Sequence, residues 1–167
     1  MGHHAEGPLS VFVPPVDRTE QGDFELRISD EEREVLRGIP GRLGELLDGE
    51  RRGDPAMERL FPAAYPDDAG MNAEYVQMVD GELMSNRRAA VAMMERTIDN
   101  NTLTEEEALS WLTTINDVRL VLGTRLELTE ESTEEDFAND DANSQAFALY
   151  AYLTFLEDHV VRALAEE

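Results

Sequence analysis

The chain has no cysteine and no lysine: its 14 basic residues are all arginine. Without thiols there is no disulfide scaffold, thiolate zinc site, iron–sulfur cluster, cysteine nucleophile or thiol redox switch. Without lysine there is no Gly-x-x-x-x-Gly-Lys phosphate loop. No apolar run approaches the roughly 18 residues that a membrane-spanning helix needs. The N-terminus lacks the basic region and apolar run of a signal peptide, so a cytoplasmic protein is expected. Histidine is confined to His3, His4 and His159, with no His-x-x-x-His or Glu-x-x-His spacing, so neither a metal nor another cofactor is expected. Asp136, Asp140 and Asp141 faintly resemble a calcium loop but lack its glycine and terminal glutamate. No Gly-x-Ser-x-Gly elbow is present, and the chain is read as a non-enzyme.

What is abundant is negative charge: 37 acidic residues give a formal net charge of −23 over 167 residues. That field repels phosphate backbones, so direct DNA binding is disfavoured without a partner. A patch joining Arg33, Arg37, Arg42, Arg51 and Arg52 would reverse that expectation. The acidity has a bland explanation in solubility or a GC-rich genome. The sharper one is a surface for a basic protein, or a mimic of nucleic acid.

Length and a 41% hydrophobic share fit one domain over residues 1–167. Residues 1–8 are expected to be disordered or a tag remnant. Residues 9–28 read as a hairpin, with strands at 9–13 (Leu-Ser-Val-Phe-Val) and 24–28 (Phe-Glu-Leu-Arg-Ile). Helices fill 29–165. Ser29 with Glu32, and Thr104 with Glu107, are capping boxes that open two of them. Pro40 followed by Gly41 predicts a break or kink in the first. Asp54-Pro55 opens a short segment, a long helix covers about 72–100, and Gly123 ends the helix begun at Thr104. Residues 130–141 hold seven acids and no base, which predicts an exposed acidic loop. The fold class is mainly α, a compact bundle around a central helix with the hairpin packed on it.

Helical periodicity makes the segment after Thr104 that central helix, because apolar residues cover most of its circumference. Trp111, Ile115, Val118 and Leu122 form its main stripe, while Ser110, Thr113, Thr114 and Asp117 mark its solvent face. Asn116 and Arg119 fall inside the apolar arc, as Arg87 does in the preceding helix and Glu157 in the last. Buried charge needs a partner. The spacing therefore predicts a polar cluster of Asp80, Arg87, Asn116, Arg119 and Glu157, either a structural ion network or an anion pocket. On the other side of the last helix, Ala148, Tyr152, Phe155 and His159 form an apolar strip. It either receives the hairpin or the helix of Leu43 and Leu47, or it is a partner or homodimer surface.

Three segments carry a family resemblance: Leu60-Phe-Pro-Ala-Ala-Tyr65, Leu112-Thr-Thr-Ile-Asn-Asp-Val-Arg-Leu-Val-Leu-Gly-Thr-Arg-Leu126 and Tyr152-Leu-Thr-Phe-Leu-Glu-Asp-His-Val-Val-Arg-Ala-Leu164. Over roughly residues 24–165 the chain resembles the actinobacterial oxidative-stress regulator family AosR, long catalogued as a domain of unknown function. The resemblance implies a helical cytoplasmic regulator of transcription that works with a stress sigma factor or RNA polymerase. The resemblance would also imply oxidant sensing through a cysteine pair, as in the family's best-described members, and no cysteine exists here to carry that role. Asn116, Arg119, Gly123 and Arg125 are hallmark positions and read first as fold determinants. The alternative is a helical adaptor or homodimer unconnected with transcription.

Overall fold

The computed structural model describes residues 12–49, 53–61, 73–74 and 76–166. Three short strands, β1 (Val16–Arg18), β2 (Phe24–Leu26) and β3 (Thr102–Leu103), form an antiparallel sheet in the order β1-β2-β3. The helices are α1 (Asp30–Asp48), α2 (Pro55–Leu60), α3 (Gly81–Thr97), α4 (Glu105–Arg125) and α5 (Asp141–Ala165). A π-helical turn, Val76–Asp80, leads into α3.

The hairpin is present, but its first strand lies later than the alternation at 9–13 suggests. Phe12 and Val13 are exposed and outside any strand, and residues 9–11 lie outside the described residues. Pairing starts after Pro14-Pro15, since proline has no N–H to give to a ladder. Val16 pairs Leu26 and Arg18 pairs Phe24 across a turn in which Gly22 takes φ +85°. That left-handed conformation favours a residue without Cβ. β2 alternates as a half-buried strand should: Phe24 and Leu26 face the core and Glu25 faces out. Its other edge pairs with β3, Phe24 against Leu103, a strand too short to show any period in the sequence.

Both capping boxes form. Ser29 Oγ accepts from the Glu32 N–H while Glu32 accepts from the Ser29 N–H, and Thr104 and Glu107 repeat the exchange. Of the break or kink expected at Pro40, the break does not occur: helix α1 runs continuously through it. A mid-helix proline costs about 3 kcal/mol. Here Leu36 and Ile39 on one side of it and Leu43 and Leu47 on the other are all buried, and that packing holds the helix together.

Helix α4 is the central element, packed against α1, α2, α3, α5 and β3. The main core gathers Phe24, Leu36, Met94, Trp111, Ile115, Leu153 and Leu156. Trp111 is fully buried, and its indole N–H donates to Thr97 Oγ1 at 2.8 Å. A second cluster, Leu43, Leu47, Met57, Leu60 and Val91, joins α1, α2 and α3. In α5 the buried stripe is Leu153, Leu156, Val160 and Ala163, and Val161 is exposed. Among the described residues no helix is long and apolar enough to cross a membrane.

Candidate functional site: two charge pairs and an apolar groove

The expected polar residues separate into two sets on different sides of α4. Arg119 points toward α5. Its Nη1 donates to Glu157 Oε2 at 2.9 Å and to Asn116 Oδ1 at 3.4 Å, and its Nε donates to Thr154 Oγ1 at 2.9 Å. The guanidinium also lies 5.3 Å from the centre of the Tyr150 ring. Both charged side chains are about one-fifth exposed, at 19% and 21%. Arg119, Asn116 and Glu157 therefore meet, as the helical wheel predicts.

Arg87 is not part of that set. It faces Asp117, with Arg87 Nε 3.5 Å from Asp117 Oδ2, and its Nη2 donates to the Leu60 carbonyl at 3.0 Å. The Phe61 ring centre lies 5.3 Å from the guanidinium. Asp117 and Arg119 are two residues apart, close to opposite sides of a helix, so one cluster cannot contain both. Asp80 is buried at the junction of the π turn and α3, two turns before Arg87 on the same helical segment.

Asp117 corrects the sequence reading most sharply. Placed on the solvent face by periodicity, it is 3% exposed, and Thr114 beside it is fully buried. Helix α3 covers α4 at Asp117, through Arg87, while Thr113 on the same polar face stays exposed. Burial pushes the Asp117 carboxyl up from 3.8 to about 6, with the Arg87 charge pulling the other way. Arg87 Nε, Asp117 Oδ2 and Thr114 Oγ1 are buried without hydrogen bonds, so the pair is poorly satisfied.

Arg33, assigned by sequence to a possible DNA-binding patch, is 8% exposed. It donates to the carbonyls of Ile98 and Asn100 at 2.5 and 3.0 Å and to Asn101 Oδ1 at 3.3 Å. It fastens α1 to the turn before β3. Arg37 is held by Glu34 and Asp99, both at 2.6 Å. Arg51 and Arg52 lie outside the described residues. The remaining member, Arg42, has no ion-pair partner among the described residues.

The strip on α5 divides in two. Phe155 is 40% exposed and packs on the His159 ring at 4.5 Å, with Phe12 5.8 Å from His159. Ala148 and Tyr152 instead line a depression of about 380 Å³ with Glu31, Glu32, Val35 and Leu149. Burial first, and then the Glu32 carboxylate, push the Tyr152 phenol up, so it stays protonated. Through Val35 and Leu149 this depression adjoins a groove of about 440 Å³ between α1 and α4, floored by Ile39, Val118, Val121 and Leu122. Sequence reading missed the groove because each of its walls is an ordinary core-facing helix edge. A third, polar depression of about 460 Å³ lies beside Arg119, Arg59 and Tyr150. Among the described residues no group of three or more His, Asp or Glu side chains is placed to hold a metal ion.

A family profile described as "Domain of unknown function (DUF2017)" matches residues 13–164. The proteins named "Oxidative stress regulator AosR" in Mycobacterium tuberculosis and Mycobacterium bovis are 30% identical over 132 residues, which is 69% of this chain and 60% of theirs. The "Putative oxidative stress regulator AosR" of Mycobacterium leprae is 30% identical over 151 residues, 80% of this chain and 67% of its own. The chain thus spans about 60% of the length of the first two relatives. No solved structure matches it. With the profile running from just before β1 to the last turn of α5, the chain belongs to the DUF2017 family and is homologous to the mycobacterial AosR proteins.

Proposed function

We propose that this chain is a non-enzymatic cytoplasmic regulator linked to oxidative stress, acting through contact with a stress sigma factor or RNA polymerase. The observation that carries the reading is its 30% identity over 132 residues to proteins named oxidative stress regulators. Two physical features support the mode of action. The net charge of −23 favours a basic protein surface over a nucleic-acid backbone. Arg33 and Arg37, which a DNA-binding face on α1 would need, are taken up by contacts to Ile98, Asn100, Asn101, Glu34 and Asp99. The chain has no thiol, so oxidant sensing by cysteine is not part of the role proposed for it. Affinity capture of the tagged chain from nuclease-treated mycobacterial lysate, followed by mass spectrometry, tests the reading. Recovery of a sigma factor or polymerase subunits is expected. Recovery of the chain alone, or of unrelated basic proteins, would sink it.

A further inference from the structure

We infer that the chain self-associates through the outer face of α1, as an antiparallel two-fold pair seated along the apolar groove between α1, α4 and α5. This inference stands apart from the regulatory reading and rests on a different observation. Glu31, Val35, Gly38 and Arg42 follow i, i+4, i+7, i+11 spacing and share one face of α1. All four are exposed, Val35 by 49% despite its apolar side chain. Glu31 and Arg42 have no ion-pair or hydrogen-bond partner among the described residues. A side chain built at Gly38 would meet nothing within 4 Å, so the surface carries an open notch there.

Reversing α1 about a point between residues 36 and 37 maps this stripe onto itself with its charges inverted. Glu31 falls opposite Arg42 of the second copy, at both ends of the contact. Val35 falls opposite the Gly38 notch, twice. A two-fold interface requires this kind of self-complementarity, since each residue must meet the partner of its own partner. The apolar area beside the stripe is ready to be covered: the groove of about 440 Å³ is floored by Ile39, Val118, Val121 and Leu122 and merges with the 380 Å³ depression at Val35 and Leu149.

The rim selects the occupant. It carries Glu31, Glu32 and Glu34 at one end and Arg42 and Arg125 at the other. A uniformly basic helix would meet the arginines, and a uniformly acidic one the glutamates. A fitting helix needs both signs in reversed order about 11 residues apart, roughly 16 Å at 1.5 Å per residue. Helix α1 of a second copy has that pattern. The net charge of each chain opposes association at long range, and near 0.15 M salt a Debye length of about 8 Å confines that repulsion.

Sedimentation velocity of the full chain over a concentration series at physiological salt provides the test, with charge reversals at the two ends. Glu31→Arg and Arg42→Glu each set like charges opposite one another twice, and each is expected to weaken the dimer by about tenfold or more. The double variant Glu31→Arg/Arg42→Glu restores opposite pairs and recovers the dimer. These side chains are exposed, and circular dichroism confirms that the variants fold. A chain that stays monomeric throughout overturns the proposal. So does a dimer indifferent to the single reversals, or a double variant as weak as either single. If the chain is monomeric and Gly38→Leu instead abolishes capture of a purified partner protein, the groove belongs to that partner.

Discussion

Replacing Asp117 with asparagine sets two opposed effects against each other. A well-formed buried ion pair loses about 3–5 kcal/mol when one partner is removed, because the other charge is left stranded. A carboxylate buried at a net cost behaves in the opposite way, and its neutral isostere stabilises the fold. The geometry decides for the second. The Arg87 Nε to Asp117 Oδ2 separation is 3.5 Å, and neither atom makes a hydrogen bond. Arg87 keeps its Leu60 carbonyl and Phe61 ring whichever residue stands at 117. Burial is the larger influence on the carboxyl, lifting it from 3.8 to about 6. At about 1.4 kcal/mol per pH unit, that displacement corresponds to about 3 kcal/mol. The folded state then holds a proton that the unfolded chain has lost between about pH 4 and pH 6, so this group's contribution to stability falls as pH rises through that window. Asp117→Asn is therefore expected to gain up to about 3 kcal/mol over the parent near pH 8 and to match it near pH 4. Urea denaturation of both proteins across that range isolates the group, since the other acidic residues are common to the two. Destabilisation near pH 8 by several kcal/mol would show that the ion pair outweighs desolvation and would refute the reasoning.

Two further predictions follow from the core. Thr97→Val leaves the buried Trp111 N–H without its acceptor and is expected to cost about 1–3 kcal/mol in chemical denaturation, whereas Thr97→Ser stays within about 1 kcal/mol. Equal losses for the two variants would indicate packing rather than hydrogen bonding. On the α4–α5 side, a double-mutant cycle on Arg119→Met and Glu157→Gln should give a favourable coupling of about 1–3 kcal/mol, since the pair is mostly shielded and made at 2.9 Å. A coupling near zero would place it with solvent-screened surface pairs.

Much of this architecture is written in local signals. The capping boxes at Ser29 and Thr104 fix two helix starts because the donors and acceptors involved lie within four residues of one another. The near-continuous apolar circumference of α4 announces a helix with neighbours all round. The errors arise where a local rule meets a non-local surface. Asp117 falls on the polar side of α4, but polarity does not tell whether water or α3 covers that side. Pro40 carries a breaking signal that packing at Leu36, Ile39, Leu43 and Leu47 overrides. β3 is two residues long, so only its pairing with Phe24 makes it a strand. Arg33 looks like any surface arginine of a first helical turn until the turn before Leu103 comes to it with two carbonyls. The Arg119–Glu157 contact was legible because each residue breaks an apolar stripe, while Arg87 breaks one too and finds a different partner.

The pairing of Phe24 with Leu103 has a consequence for how the chain reaches its structure. The turn from Arg18 to Phe24 closes over a few residues, so β1 and β2 can meet early and cheaply. Joining β2 to β3 closes a loop of about 80 residues, an entropic cost of about 4 kcal/mol that only an already assembled surface can offset. That surface is Leu103, Trp111 and α5, present once α3, α4 and α5 have packed. A loop of that length predicts that the β2–β3 pairing forms late in folding, which pulsed hydrogen exchange at the β2 and β3 amides would check. Release of the N-terminal strands would uncover the face of α5 against which β1 packs, an opening well short of global unfolding.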